Sequence, residues 1–564
     1  MSLIVKGGYV FDPLNGIDGE KRDVFIKKGK VVRELKERDT KVIDATGMVV
    51  MPGGVDIHSH IAGSKVNAGR LLRPEDHRKD PVPKGKITRS GVGYSCPTTF
   101  VTGYRYAMMG YTTVMEPAMP PIGARDVHEE LSDTPILDKA AFTLFGNNLF
   151  TLKYVKAGDM DMLKAFVLWL LRSTKSYAVK IVNPGGVENW KWGRNVGGLD
   201  DLVYNYEISP RQILTSLCRA NEELGLPHTI HVHCNNLGVP GNYETTIETM
   251  EAMKDIRVAR GRKTNLHITH CQFNALDGES WVKVHSGASK IAKYVNAHPH
   301  VSIDLGQAVF TDTTTMTGDG PWQWRLHNLT GNKWVNKDVE MEAGAGIVPY
   351  TFKKNNLANS IQWAIGLELA LEVYDPWRVY LTTDHPNGGP FTYYPKVISW
   401  LMSRASRNAT MLEINRSSLR RTSLVNDYRE YTFSEIATIT RAATAKALGM
   451  KNKGHLGPGA DGDVSVYSID PKAWRPSQFT ELERAFTKAK YTVKGGEIVA
   501  NDGEIVSTPT GTTSWVNGTS PIEDELIKDI KRDFAEYYTL NFNNYPVDEG
   551  YLPISCPTKL EVRA

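Results

Sequence analysis

His58 and His60, in the run Asp56-Ile57-His58-Ser59-His60, are spaced to share a metal ion. Residues two apart on an extended strand face the same side, so both rings can point to one place. The spacing recurs in Pro227-His228-Thr229-Ile230-His231-Val232-His233-Cys234-Asn235-Asn236, where His231 and His233 share a face and His228 is expected on the other. Leu266-His267-Ile268-Thr269-His270 ends in a histidine, and Val379-Tyr380-Leu381-Thr382-Thr383-Asp384 ends in a carboxylate. Lys180 lies inside the apolar run Tyr177-Ala178-Val179-Lys180-Ile181-Val182. Buried lysine is rare and an unpaired buried charge is costly. Lys180 therefore has two readings: an ammonium that reaches a carboxylate or the surface, or a neutral amine to which CO2 adds, giving a carbamate whose oxygens bridge two metals.

Each of these residues alone has a plainer account. A strand histidine is more often held by a core hydrogen bond, and one aspartate can simply cap a loop. Their recurrence at successive strand ends points instead to a single binuclear site. Imidazole and carboxylate ligands suit zinc, and two bridged zincs can ionise a water at neutral pH. That water would attack a carbonyl carbon, with an aspartate moving its proton to the leaving nitrogen.

Such a site needs a scaffold that brings many strand ends together. Strand-like runs at 55–57, 112–115, 177–182, 229–233, 266–270, 300–304 and 379–384 alternate with helix-like stretches such as 161–173 and 211–224. This order predicts a (β/α)8 barrel of the TIM type, with catalytic residues at the C-terminal strand ends; a doubly wound sheet is the structural alternative. Short β-rich runs with glycine turns open the chain and return near its end, which predicts a small β-sandwich built from both chain ends. The expected division is 1–52 and 455–515 for the sandwich, 53–454 for the barrel, and 516–564 for a C-terminal arm that packs or binds a partner. A capping box at Thr432 and Glu435 starts a helix that Gly449 should end.

With 564 residues, a formal net charge of +4 and ordinary apolar content, the chain has neither the basic excess of a nucleic-acid binder nor an apolar run long enough to span a bilayer. Cys96, Cys218, Cys234, Cys271 and Cys556 form no Cys-x-x-Cys pair, so a reducing, cytoplasmic setting without iron–sulfur ligands is expected. The first residues carry no signal-peptide pattern.

Several segments together resemble the amidohydrolase superfamily, in its dihydroorotase, hydantoinase and D-aminoacylase branches. These are Gly7-Gly8-Tyr9-Val10-Phe11-Asp12-Pro13, the block from Met51-Pro52-Gly53-Gly54 to His60, Gly110-Tyr111-Thr112-Thr113-Val114-Met115-Glu116, Thr440-Arg441-Ala442-Ala443-Thr444-Ala445-Lys446-Ala447-Leu448-Gly449, and the stretch from Gly454 to Asp463. The resemblance implies His58 and His60 as first-strand ligands, Lys180 as the carboxylated lysine, His233 (alternatively His231) and His270 (alternatively His267) as the fifth- and sixth-strand ligands, and Asp384 as ligand and proton shuttle. His231 is a second candidate for acid–base work.

Gly185-Gly186-Val187-Glu188-Asn189-Trp190-Lys191-Trp192-Gly193 and Gly320-Pro321-Trp322-Gln323-Trp324-Arg325 are similar to the family of amidohydrolase-like subunits of formylmethanofuran dehydrogenases. That likeness implies an archaeal enzyme component that condenses formate with the amine of methanofuran, the first step of CO2-based methanogenesis. A tungsten- or molybdenum-pterin partner and iron–sulfur subunits would make the formate. Two other readings compete: a free-standing hydantoinase or N-acyl-amino-acid hydrolase, and a non-catalytic scaffold. No residue is assigned to the substrate tail, for which Arg70, Arg73, Lys191 and Arg194 are candidates beside their plainer reading as solvated loop charges.

Overall fold

The computed structural model describes residues 2–35, 40–336 and 346–561. Its centre is a set of eight parallel strands: β1 (Gly54–Asp56), β2 (Tyr111–Met119), β3 (Asp138–Leu144), β4 (Ala178–Val182), β5 (Ile230–His233), β6 (Leu266–Ile268), β7 (Val301–Asp304) and β8 (Val379–Tyr380). They pair in that order. The ring closes just beyond the last strand, where Ser59 bridges His385 in parallel and His60 N–H donates to the His385 carbonyl at 2.7 Å. All eight strands are buried throughout, as expected when helices cover the outer face and side chains fill the inside. The (β/α)8 barrel is thus observed, and the doubly wound alternative is excluded by the closure.

Two details differ from the sequence reading. The third strand, Asp138–Leu144, was not among the seven strand-like runs; its Asp-Lys-Ala-Ala-Phe-Thr-Leu reads as neither alternating nor strongly apolar. The last run, 379–384, is a strand only at Val379–Tyr380, and Asp384 sits beyond it at φ +49°.

The chain ends meet in a nine-stranded sheet. Val49–Pro52 pairs antiparallel with Val464–Tyr467, which joins the N-terminal strands to the C-terminal ones. Leu3, Val5, Val24, Ile26, Ile43, Val464 and Val493 form its own apolar core. A helix from Phe433, capped by the Thr432–Glu435 box, turns through a π segment at Thr438–Ala442 and ends at Gly449. The Ile439 carbonyl accepts from Leu381 N–H at 3.1 Å, fixing this helix against β8.

The last segment packs on the barrel. Strand Thr513–Thr519, which runs through the expected boundary at 515, pairs with Ser555–Glu561 and touches β3 at Lys139. Helix Pro521–Tyr537 lies on helix Met160–Ser173, with Tyr545 stacked on Trp169 at 5.5 Å. Among the described residues no helix is long and apolar enough to cross a membrane.

Candidate metal centre

Every candidate ligand lies in a barrel strand or within a few residues past its C-terminal end, and is buried. His58 Nε2 lies 2.9 Å and His60 Nε2 3.2 Å from Asp384 Oδ1, so strands β1 and β8 bring three donors to one point. The ring of His270 lies 5.5 Å from that of His58 and 4.7 Å from that of His233. Lys180, on β4, is in register with His231 on β5, which is in register with His267 on β6.

Burial without hydrogen-bond partners marks five of these residues. His58 Nε2, Lys180 Nζ, His233 Nδ1, His270 Nδ1 and both Asp384 carboxylate oxygens have none. Orphaned buried polar atoms are rare because each costs about 1–3 kcal/mol. Imidazole lone pairs, an amine and a carboxylate gathered in this way fit divalent cations, whose coordination satisfies such atoms together.

The electrostatics agree with a site of lone pairs. Burial pushes His58, His231 and His270 well below the usual histidine range, which keeps the rings neutral. Burial lowers Lys180 to about 7, against the opposing pull of Asp384 and Asp304. The Asp384 carboxyl is raised, again chiefly by burial.

The alternatives left open by spacing have different surroundings. Both nitrogens of His267 are engaged, by Ser302 Oγ at 3.0 Å and Asp304 Oδ2 at 2.9 Å. His231 Nε2 lies 2.8 Å from His58 Nδ1 and its Nδ1 lies 3.2 Å from His228 Nε2. His58, His231 and Asp304 form a second grouping of possible donors. A neutral imidazole offers only one lone pair, however, so His58 cannot serve that grouping and the Asp384 point together. The expectation that His228 faces away from His231 is incorrect: residues 227–229 precede β5, so strand parity does not apply and the two rings touch.

Sequence reasoning missed the groups behind the ligands. Glu116, at the end of a recognised run, lies 3.3 Å from His60 Nδ1 and accepts from Lys65 Nζ at 2.6 Å. Burial alone would raise Glu116; Lys65 and His60 outweigh it and hold the carboxyl at about 2. Asp319 lies against His233 and also caps helix Gly320–Thr330. An Asp directly before Gly-Pro-Trp was a legible cap signal, but its contact with a residue 86 positions away was not.

The tail candidates have local partners. Arg73 donates to the Thr313 carbonyl, Arg70 to the Pro97 carbonyl and Lys191 to Glu188, while Arg194 lies over the Tyr204 ring. A third grouping, Asp138, Asp461 and Asp463, sits at the N-terminal end of β3, away from the barrel mouth, and is paired with Lys30, Lys453 and Lys494.

A sequence profile described as "Amidohydrolase family" matches residues 41–500. This chain belongs to the amidohydrolase family. Within the family it is 49% identical to Protein FwdA of Methanocaldococcus jannaschii over 98% of this chain and 97% of that protein. It is 38% identical to a subunit of the formyltransferase/hydrolase complex Fhc of Methylorubrum extorquens, over 90% of each. The crystal structure of the FhcABCD complex of M. extorquens with methylofuran contains a chain that superposes with a TM-score of 0.91 at 35% identity, covering 99% of this chain and 100% of that one.

Proposed function

We propose that this chain is the amidohydrolase-type subunit of a formylmethanofuran dehydrogenase, joining formate reversibly to the amine of methanofuran as N-formylmethanofuran. The observation that carries the reading is the near full-length similarity to FwdA together with the orphaned donor set at the barrel mouth. The free-standing hydrolase is less well supported, since the relatives matched over nearly the whole chain are FwdA and a subunit of a complex.

The ligands in this reading are His58, His60, Lys180, His233, His270 and Asp384. The free Nδ1 atoms of His233 and His270 favour them over His231 and His267. Two divalent metals, zinc by donor type, would polarise the formyl oxygen and acidify the attacking water. Burial lowers Lys180 to about 7, toward the neutral amine that would add CO2 and become a bridging carbamate. Asp384 Oδ2 takes the proton of the attacking water and delivers it to the amine nitrogen, a task its raised carboxyl suits.

Beside the site lies an apolar cavity of about 340 Å³, lined by Phe273, Trp322, Leu326, Phe352, Thr317 and Asn387 among others. Asn387 N–H donates to the Asp384 carbonyl at 2.6 Å, so the cavity adjoins the proton shuttle. It suits the furan and aryl body of the amine. The tail candidates Arg70, Arg73, Lys191 and Arg194 do not line it.

Zinc has no redox chemistry, so in this reading the electrons for CO2 reduction come from a tungsten- or molybdenum-pterin partner with iron–sulfur subunits. The test is to assay the full-length chain alone. It should hydrolyse N-formylmethanofuran, and N-formylfurfurylamine more slowly, without reducing CO2 from a reduced viologen. Viologen-dependent CO2 reduction, or efficient hydantoin hydrolysis with no action on N-formyl amines, would refute the assignment.

A further inference from the structure

Behind the metal centre the rings of His58, His231 and His228 form a continuous buried chain. His58 Nδ1 to His231 Nε2 is 2.8 Å, His231 Nδ1 to His228 Nε2 is 3.2 Å, and His228 Nδ1 to the Ala447 carbonyl is 2.8 Å. Only the last link has a fixed polarity. A carbonyl oxygen can only accept, so His228 carries its proton on Nδ1. Its Nε2 must then accept, which puts a proton on His231 Nδ1. His231 Nε2 accepts in turn, which puts the proton of His58 on Nδ1 and leaves the lone pair on Nε2, the atom 2.9 Å from Asp384 Oδ1.

We infer that His231 and His228 are positioning residues, a one-way chain of ring N–H donors ending on the Ala447 carbonyl that keeps the His58 lone pair turned toward the metals. Two other groups reach His58 Nδ1. The Thr269 hydroxyl contacts it but can donate as well as accept, so it does not set the tautomer. Asp304 Oδ2 lies 3.9 Å away, beyond a hydrogen bond, and is already taken by His267 Nε2 at 2.9 Å. His60 and His233 have carboxylates behind them, Glu116 and Asp319. His58 Nδ1 has none at hydrogen-bond distance, and the relay reaches the acceptor it lacks. Acceptors of this kind fix ring orientation in metal sites and raise ligand basicity.

The inference rests on the binuclear reading of the site, and the test separates the two. Zinc content and zinc affinity, by chelator competition, are measured on the full-length chain with whatever subunits accompany it. The proteins are wild type, His231→Phe, His231→Gln, His228→Phe and His228→Gln, each checked by circular dichroism. Glutamine can accept at one end and donate at the other; phenylalanine can do neither. Each Phe variant should lose affinity for one zinc by about 10–100-fold, and each Gln variant should recover most of it. If His231→Phe misfolds, the His228 pair decides by the same criterion. Wild-type affinity in the Phe variants would overturn the relay. His231→Gln as impaired as His231→Phe would also overturn it, making His231 a direct ligand. A wild-type chain that takes up no divalent metal would sink the binuclear reading itself.

Discussion

Asp319 Oδ2 lies 3.1 Å from His233 Nε2, and Asp319 Oδ1 accepts from Asn183 Nδ2 at 3.0 Å. One carboxylate thus holds a candidate ligand, a strand-end amide and the N-terminus of helix Gly320–Thr330. Asparagine caps a helix as well as aspartate does, so Asp319→Asn isolates the effect on His233. Helix content and thermal midpoint should stay close to wild type while metal affinity falls about 10–100-fold. Unchanged affinity in a metal-competition titration would leave Asp319 with the cap alone.

Lys180→Ala should abolish binding of at least one metal along with activity. In the proposed centre a carbamate on Lys180 would carry the negative charge that two adjacent dications require. A short carboxylic acid supplied with zinc should restore part of both. Intact mass spectrometry under native conditions should show one CO2 added per chain, and its absence from a chain loaded with two zincs would refute the bridge.

Asp384→Asn keeps the shape of the side chain but removes the basic oxygen from a carboxyl that burial raises. Turnover should fall about 10²–10⁴-fold, well beyond any loss of metal measured on the same sample. Near-normal turnover would move the proton transfer to another group.

Trp322→Ala opens the wall of the apolar cavity without removing any candidate ligand. KM for N-formylmethanofuran should rise about 10–100-fold, with kcat little changed, because the lost contact is to a part of the substrate that does not react. For N-formylfurfurylamine the rise should be smaller. Equal effects on the two substrates would place the aryl body elsewhere.

Asp138 and Asp463 tie β3 to the terminal sheet through Lys453 and Lys494, with Lys494 Nζ 2.7 Å from Asp138 and Lys453 Nζ 2.7 Å from Asp463. Burial would raise both carboxyls, but the two ammonium groups outweigh it and hold both below the usual range, Asp138 well below. A depressed folded-state value contributes stability above the unfolded carboxylate pKa of about 3.9 and loses it as the pH falls toward the folded value. The thermal midpoint should therefore be insensitive to this cluster near neutrality and drop below about pH 4. Asp138→Ala, which leaves the ammonium groups short of a partner, should cost about 3–5 kcal/mol at neutral pH and flatten the acid limb. An acid limb unchanged in the variant would assign it to other carboxylates.

The spacing of His58 and His60, the lysine inside an apolar strand and the alternation of strands with helices made the barrel and the ligand-type residues gathered at its mouth legible, because strand parity and burial cost act locally. The chain's ends read as one β-unit for the same reason: alternation and glycine turns are local signals. Other features depended on closure of the barrel. Strand β3 escaped notice because its Asp138-Lys139-Ala140-Ala141 start is stabilised by the remote Lys453 and Lys494 and by the nearby Thr134 carbonyl, rather than by its own pattern. His231 and His233 have the same parity, so spacing could not separate them; what distinguishes their surroundings is Asp319 on a distant helix and the rings of His58 and His228. His270 leaves its strand at φ +37°, where parity no longer says which way a ring points. Local periodicity determined which residue types stand at the strand ends. Which nitrogen of each ring is left free depends on hydrogen-bond partners many residues away, and only the closed barrel brings those together.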